Sequence, residues 1–267
     1  MNKIGINFEN VLAIKKELKL TVPETLKRLK ALGITSLDVN LDRLTLDSYY
    51  NDIVASGFEI GSLFCFFHLD IQNNVQKALS VIDFCASKKI KEIMVLCTFK
   101  SYSLSDVQIL KQNLRRIVKY AENFGVKIAI ENVGKQGYFA SEIAPTLDVL
   151  KSVKGLGLVF DGGNFTLAGV NAKDAIIKLA PYVSRYHLKD RALRYEQGAL
   201  LEKTFSGLDS SVVALGEGDS YIKECFLEIK PYYKGVPLVI EFPFTQENIF
   251  DAVQKSAIYI QTELLDE

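Results

Sequence analysis

The chain carries no excess of either charge: Lys and Arg number 32, Asp and Glu 32, and the formal net charge is zero. A nucleic-acid-binding protein ordinarily shows a basic excess or stripe, so that class is set aside. The basic pairs Lys15-Lys16, Lys88-Lys89 and Arg115-Arg116 stand among acidic residues and read as solvated helix faces. Cysteine is scarce as well. Cys65, Cys85, Cys97 and Cys225 lie far apart with no CxxC pair, which argues against a disulfide frame or a zinc knuckle and for free thiols in a reducing compartment. Long apolar runs are missing: stretches such as Ile93 to Cys97 fall far short of the ~20 residues that span a bilayer. Glu9 interrupts the start of the chain before a signal-peptide core can form. A soluble, cytoplasmic protein with no membrane partner is expected. Neither a Walker motif nor a low-complexity tract or linker is present, and histidine occurs only as His68 and His187.

What remains is an ordinary globular composition, 48% hydrophobic and 24% charged, able to bury a large core. Short β-rich runs alternate with longer helical stretches. Strands are predicted at Lys3–Phe8, Ser36–Asn40, Glu59–Phe64, Ile93–Cys97, Lys127–Glu131, Gly157–Asp161, Val183–His187 and Pro237–Glu241. Between them, Glu24 to Leu32 carries Leu26, Leu29 and Leu32, and Ser105 to Phe124 carries Val107, Leu110, Leu114, Val118 and Ala121, the stripe of helices packed on a sheet. Gly33, Gly57 and Gly125 each stand just before a strand, where a left-handed residue ends a helix. Strands separated by helices imply right-handed crossovers and a parallel sheet.

The length, 267 residues, divides into eight such units of roughly 33 each, close to the ~250 typical of a (β/α)8 barrel. An open doubly wound sheet is disfavoured, because Asn7-Phe8-Glu9-Asn10 replaces the glycine-rich phosphate loop after the first strand. We therefore expect one α/β domain over 1–267, a single TIM barrel. The outsized connection from Leu188 to about Gly218 is a candidate substrate cover.

The last four strands end in groups that ligate metals. Ile128-Ala129-Ile130 runs into Glu131-Asn132, Leu158-Val159-Phe160 into Asp161-Gly162-Gly163-Asn164, Val183–Tyr186 into His187-Leu188-Lys189-Asp190, and Leu238-Val239-Ile240 into Glu241-Phe242-Pro243. In a (β/α)8 barrel, these C-terminal strand ends form the active-site face. If the four terminal groups point inward, Ala129, Val159, Arg185 and Val239 point inward one layer below, and the residues between face the helices. Arg185 is the awkward member: a buried guanidinium needs carboxylate partners, so it either supports the ligands or marks a wrong register. Three carboxylates and one imidazole would make a crowded anionic pocket, and a divalent cation relieves that repulsion.

The order ENxG, DxGN, HLKD, GEG and a terminal EFP resembles the xylose-isomerase-like sugar isomerase/epimerase superfamily, which also includes an apurinic endonuclease branch. That resemblance implies one divalent ion, Mn2+, Mg2+, Co2+ or Zn2+, held by Glu131, Asp161, His187 and Glu241. It implies an isomerase or epimerase acting on a sugar, sugar phosphate or keto-polyol through an ene-diolate, with Glu131 and Glu241 as the acid/base pair. Dehydration of a keto-polyol on the same site and a non-catalytic sugar-binding barrel are the alternatives. The endonuclease branch builds a three-zinc cluster from several histidines, and two histidines do not supply it.

Substrate contacts are sought at Asn164, where relatives often carry histidine, at Lys189 of the HLKD motif, and at Arg191 or Arg194 in place of an epimerase arginine. His68 and Glu217 are further candidates at the mouth. Asn132 is expected to orient Glu131 or cap a helix, and Asp219 to cap the helix beginning near Ser220. The phenylalanines of Phe64-Cys65-Phe66-Phe67 either wall the pocket or pack between subunits of a homo-oligomer.

Overall fold

The computed structural model describes residues 3–45, 49–71, 75–97, 103–135, 138–197, 199–233, 235–243 and 246–265. Eight parallel strands close into a barrel: β1 (Ile4–Asn7), β2 (Ile34–Asn40), β3 (Glu59–Phe67), β4 (Glu92–Cys97), β5 (Lys127–Glu131), β6 (Gly157–Asp161), β7 (Val183–Leu188) and, after an excursion, β11 (Leu238–Ile240). The expected strand positions hold, with ends differing by a residue or two except for β3, which runs three residues further, to Phe67. Phe8 is not in β1: Asn7 accepts a bond from the backbone N–H of Glu9 and starts the helix Phe8–Leu18.

Local signals account for the helices. Thr21 and Glu24 form a reciprocal capping box at the helix Val22–Ala31. Ser103 and Asp106 do the same for Leu104–Glu122, whose Leu110, Leu114 and Ile117 are fully buried. Gly33, Gly57 and Gly125 have positive φ of 80°, 72° and 63°, as the turn into the next strand requires. The helix beyond Asp219 departs from expectation. It spans Ile222–Ile229 with Tyr221 at its N-cap, and Asp219 Oδ2 instead accepts the backbone N–H of Leu193.

Barrel alternation divides the core in two. Phe64, Met94, Ala129 and Val159 fill the interior with Leu96 packed against them, while Ile128, Ile130, Leu158, Phe160, Tyr186, Leu238 and Ile240 join the larger core under the helices. Ser184, expected to face outward, donates its hydroxyl to Glu92 Oε1 at 2.7 Å. The cause is a register shift: Leu158 pairs with Val183 but Val159 with Arg185, so one residue of β7 is extra there.

The excursion after β7 is ordered. Strands β8 (Asp190–Ala192), β9 (Glu202–Lys203) and β10 (Asp209–Val213) form a small antiparallel sheet in the order β8-β10-β9. Asp190 organises its return, accepting backbone N–H bonds from Gly216 (2.9 Å), Gly218 (3.0 Å) and Ser220 (3.2 Å). The GEG motif is thereby tied to the aspartate of HLKD. None of the described helices is long and apolar enough to cross a membrane.

Candidate metal centre

Strands β5, β6 and β7 and the residue after β11 deliver Glu131, Asp161, His187 and Glu241 to one point at the C-terminal rim. Each offers a ligand atom, and these atoms lie within 4.8 Å of one another. Local devices hold each one. Asn132 pairs both ways with the backbone of Asp161, donating to its carbonyl at 2.7 Å and accepting its N–H at 2.8 Å, so it neither caps a helix nor orients Glu131 directly. Asp161 Oδ1 accepts the N–H of Asn164 and caps the helix Gly162–Leu167, while Oδ2 faces the cluster. Asn10 clamps the strand end beyond β11, donating to the Phe242 carbonyl at 2.7 Å and accepting its N–H at 3.0 Å.

His187 is fully buried and engaged at both nitrogens. Nε2 lies 3.0 Å from Asp38 Oδ2, and Nδ1 lies 2.8 Å from Glu131 Oε1. Glu241 Oε2 is also 2.8 Å from Nδ1, yet it is buried without a hydrogen bond, because one ring N–H is directed at one oxygen. An orphaned, buried carboxylate oxygen beside three further ligand atoms fits a divalent cation, and the oxygen-rich donor set with one imidazole suits Mg2+, Mn2+, Co2+ or Zn2+.

Two side-chain cations, Lys189 and His187, pair with the carboxylates of the cluster. Lys189 Nζ lies 2.9 Å from Asp161 Oδ2, 3.3 Å from Glu241 Oε1 and 3.4 Å from Asn164 Oδ1. Gly163 permits this approach: a Cβ there would come within 2.5 Å of the Lys189 carbonyl. Burial pushes the Glu131 and Asp161 carboxyls above their usual range, and the neighbouring cations only partly offset it. In Glu241 burial also acts upward, but the charges of Lys189 and His187 prevail and hold it down at about 2. In His187 burial favours the neutral ring, yet Glu131, Glu241 and Asp38 outweigh it and hold the imidazole protonated well above its ordinary range.

Beneath the cluster lies a network that sequence reasoning only half found. Arg185 does point inward, and its carboxylate partners are Asp38 (3.0 Å) and Glu92 (3.0 Å), with the Gly61 carbonyl at 2.9 Å. Asp38 therefore bridges Arg185 to His187. Its signal was available: it is the one charged residue on β2, between Leu37 and Val39, and the buried guanidinium required a carboxylate.

Other candidates sit elsewhere. Arg191 is buried, its guanidinium bonded to Glu202 (2.7 Å), Ser210 (3.0 Å) and the Gly163 carbonyl (3.3 Å), which ties the small sheet to the barrel. Arg194 is exposed and bonded to the Glu217 carbonyl and the Glu196 carboxylate. Glu217 itself is exposed and lines a separate polar cleft with Arg194, Gln246 and Lys255. His68 is exposed just beyond β3. Of the phenylalanines, Phe64 fills the barrel interior, Phe67 joins the outer core, and Phe66 lines a cavity that reaches Glu131.

Comparison with solved structures returns the same architecture. A sugar phosphate isomerase/epimerase from Parabacteroides distasonis superposes with a TM-score of 0.73 at 15% identity, covering 98% of this chain and 94% of that one. The probable 3-DHS dehydratase AsbF from Bacillus anthracis gives 0.73 at 14% identity, covering 97% and 99%. The IOLI protein, solved with a bound zinc atom, gives 0.71 at 16%, covering 96% of each chain. Comparison of the sequence with curated proteins returned no match. The model of one family matches residues 24–261, and the chain belongs to that family, the xylose isomerase-like TIM barrels.

Proposed function

We propose that this barrel is a divalent-metal-dependent enzyme that isomerises or epimerises a small hydroxy-carbonyl substrate of the carbohydrate class. The observation that carries the reading is the convergence of two glutamates from different strands on one imidazole nitrogen, each with an oxygen 2.8 Å from Nδ1 of His187. Glu131, Asp161, His187 and Glu241 would hold the ion, which supplies Lewis-acid polarisation of a carbonyl and a neighbouring hydroxyl when bound. The zinc held by the IOLI structure supports a metal here.

The chain's own residues do the proton work. Glu131 and Glu241 approach from separate strands, so one carboxylate removes the carbon-bound proton and the other returns it. Return to the opposite face of the same carbon gives an epimer; return to the adjacent carbon gives an isomer. Their environments differ in the needed sense: burial raises the proton affinity of Glu131, whereas Lys189 and His187 keep Glu241 ionised. Lys189 and Asn164 lie beside Asp161 and Glu241, where they can bind a substrate oxygen.

Solvent-deuterium exchange into a ketose panel, followed by NMR with Mn2+ present, tests this reading. Exchange that vanishes in Glu131→Gln and Glu241→Gln supports it, and a 2-keto-3-deoxy product would move the assignment to dehydration. Saturable binding of a hydroxy-carbonyl ligand with no exchange in that same ligand would leave a binding barrel.

A further inference from the structure

Three strand ends that hold no ligand but Glu131 border a cavity of about 230 Å3. Phe66 of β3, Val95, Leu96 and Cys97 of β4, and Ile130 and Glu131 of β5 line it. Val133, Lys135, Tyr138 and Ala140, which follow β5 in the chain, line it as well. Glu131 belongs both to this cavity and to the metal cluster, so the cavity adjoins the cluster.

The walls are chemically one-sided. Phe66, a large apolar group, is 58% exposed. Leu96 continues inward onto the apolar barrel interior. Among the described lining residues, the polar groups are few: the Glu131 carboxylate, the Tyr138 hydroxyl, the buried Cys97 thiol and one ammonium. That ammonium, Lys135 Nζ, lies 5.3 Å from the centre of the Tyr138 ring. The Cys97 thiol is driven upward in proton affinity by burial and lies 3.9 Å from the Val95 carbonyl, so it is a wall, not a nucleophile.

An open-chain sugar carries a hydroxyl on nearly every carbon, and each hydroxyl buried without a partner costs about 1–3 kcal/mol. Among the described lining residues, few groups would return partners to those hydroxyls. A hydrocarbon or ring body meets no such cost. An apolar cavity of ~150 Å3 accommodates benzene, so the present one has room for a six-membered ring with a short linker.

We propose that the substrate is amphiphilic: a hydroxy-carbonyl head at the metal cluster, an apolar ring or hydrocarbon body against Phe66, Leu96, Val133 and Tyr138, and an anionic group paired with Lys135. The placement of the head rests on the function proposed above; the apolar body and the anion rest on the cavity alone. The substrate thereby departs from a free hexose, and the barrel acts on a carboxylated or phosphorylated compound with a partly deoxygenated skeleton.

Ligand-observed NMR titrations of the metal-free full chain test this with four probes: 3-phenyllactate, lactate, 3-phenylpropanol and D-fructose. The expected result is 3-phenyllactate binding at least tenfold more tightly than lactate, with D-fructose the weakest. Lys135→Gln is expected to weaken 3-phenyllactate at least threefold and leave 3-phenylpropanol unchanged. Val133→Asn, in a half-buried wall position that tolerates a polar side chain, is expected to weaken both phenyl probes while the melting temperature holds. Equal binding of lactate and 3-phenyllactate, or tighter binding of D-fructose than of either, overturns the proposal even if both variants unfold. Mn2+ binding measured on the same preparation separates the two readings. Phenyl selectivity without Mn2+ binding keeps the cavity assignment and removes the metal enzyme, and Mn2+ binding without phenyl selectivity does the reverse.

Discussion

Asp38 and His187 meet inside the barrel, with the Asp38 Oδ2 atom 3.0 Å from His187 Nε2. This contact decides which nitrogen faces the cluster. Nε2–H is committed to Asp38, so Nδ1 is the atom offered to Glu131, Glu241 and an ion. A histidine ligand whose other nitrogen donates to a carboxylate is oriented and made more basic. Asp38 is in turn held by Arg185 through its other oxygen at 3.0 Å.

Replacing Asp38 by Asn is therefore expected to weaken Mn2+ binding by about 10–100-fold, the usual cost of losing such a partner. Equilibrium dialysis reads the affinity, and circular dichroism verifies that the fold persists. Unchanged affinity would show that Asp38 does not set the ring.

Arg185 is expected to matter for stability. It is almost wholly buried and paired with Asp38 and Glu92. Removing one partner from a buried ionic network leaves uncompensated charge and typically costs about 3–5 kcal/mol. Arg185→Met should lose that much in urea unfolding, whereas Arg194→Met, at an exposed pair, should change stability by less than about 0.5 kcal/mol.

Metal binding is expected to release protons. His187 is held protonated above its ordinary range, and Nδ1 must lose its proton to become a ligand. One displaced proton makes the apparent affinity rise by about tenfold per pH unit below the raised pKa of the ring. A pH-independent Mn2+ titration would contradict the protonated ring.

The acid limb has its own sign. Glu241 is lowered from 4.5 to about 2 in the folded chain. Its ionised form thus stabilises the metal-free protein above pH 4.5, and that contribution is lost as pH falls toward 2. Glu241→Gln should flatten the metal-free stability profile in that window. An identical acid limb in both proteins would remove the Lys189 and His187 pairing as its cause.

Lys189 pairs with two of the carboxylates that an ion would use, its Nζ lying 2.9 Å from Asp161 and 3.3 Å from Glu241. Lys189→Met is expected to tighten Mn2+ binding at least threefold by removing a competing cation, while lowering the stability of the metal-free chain. Calorimetric titration and melting curves measure the two. Weaker Mn2+ binding in this variant would mean that the lysine supports the site rather than competes for it.

The barrel and the four ligand candidates were legible because apolar runs buried on both faces end abruptly in polar groups, as at Ile130-Glu131 and Phe160-Asp161. Asp161 also shows why single residues mislead, since it caps a helix with one oxygen and faces the cluster with the other. Asp38 escaped notice because it lies within a strand, where its partners come from β7, far away in sequence. The partners of Arg191 were equally hidden: it stands near His187 in sequence, but β8 turns its guanidinium toward Glu202 and Ser210. The small sheet of the excursion was invisible to periodicity, because β8 and β9 span only 3 and 2 residues, too few to show alternation.

The central claim is that Glu131, Asp161, His187 and Glu241 hold one divalent ion. Elemental mass spectrometry of the purified protein, after dialysis and again after Mn2+ loading, addresses it directly. One equivalent per chain, lost in His187→Ala, is the expected result. No retained metal under either condition, or about three zinc ions per chain, would contradict it.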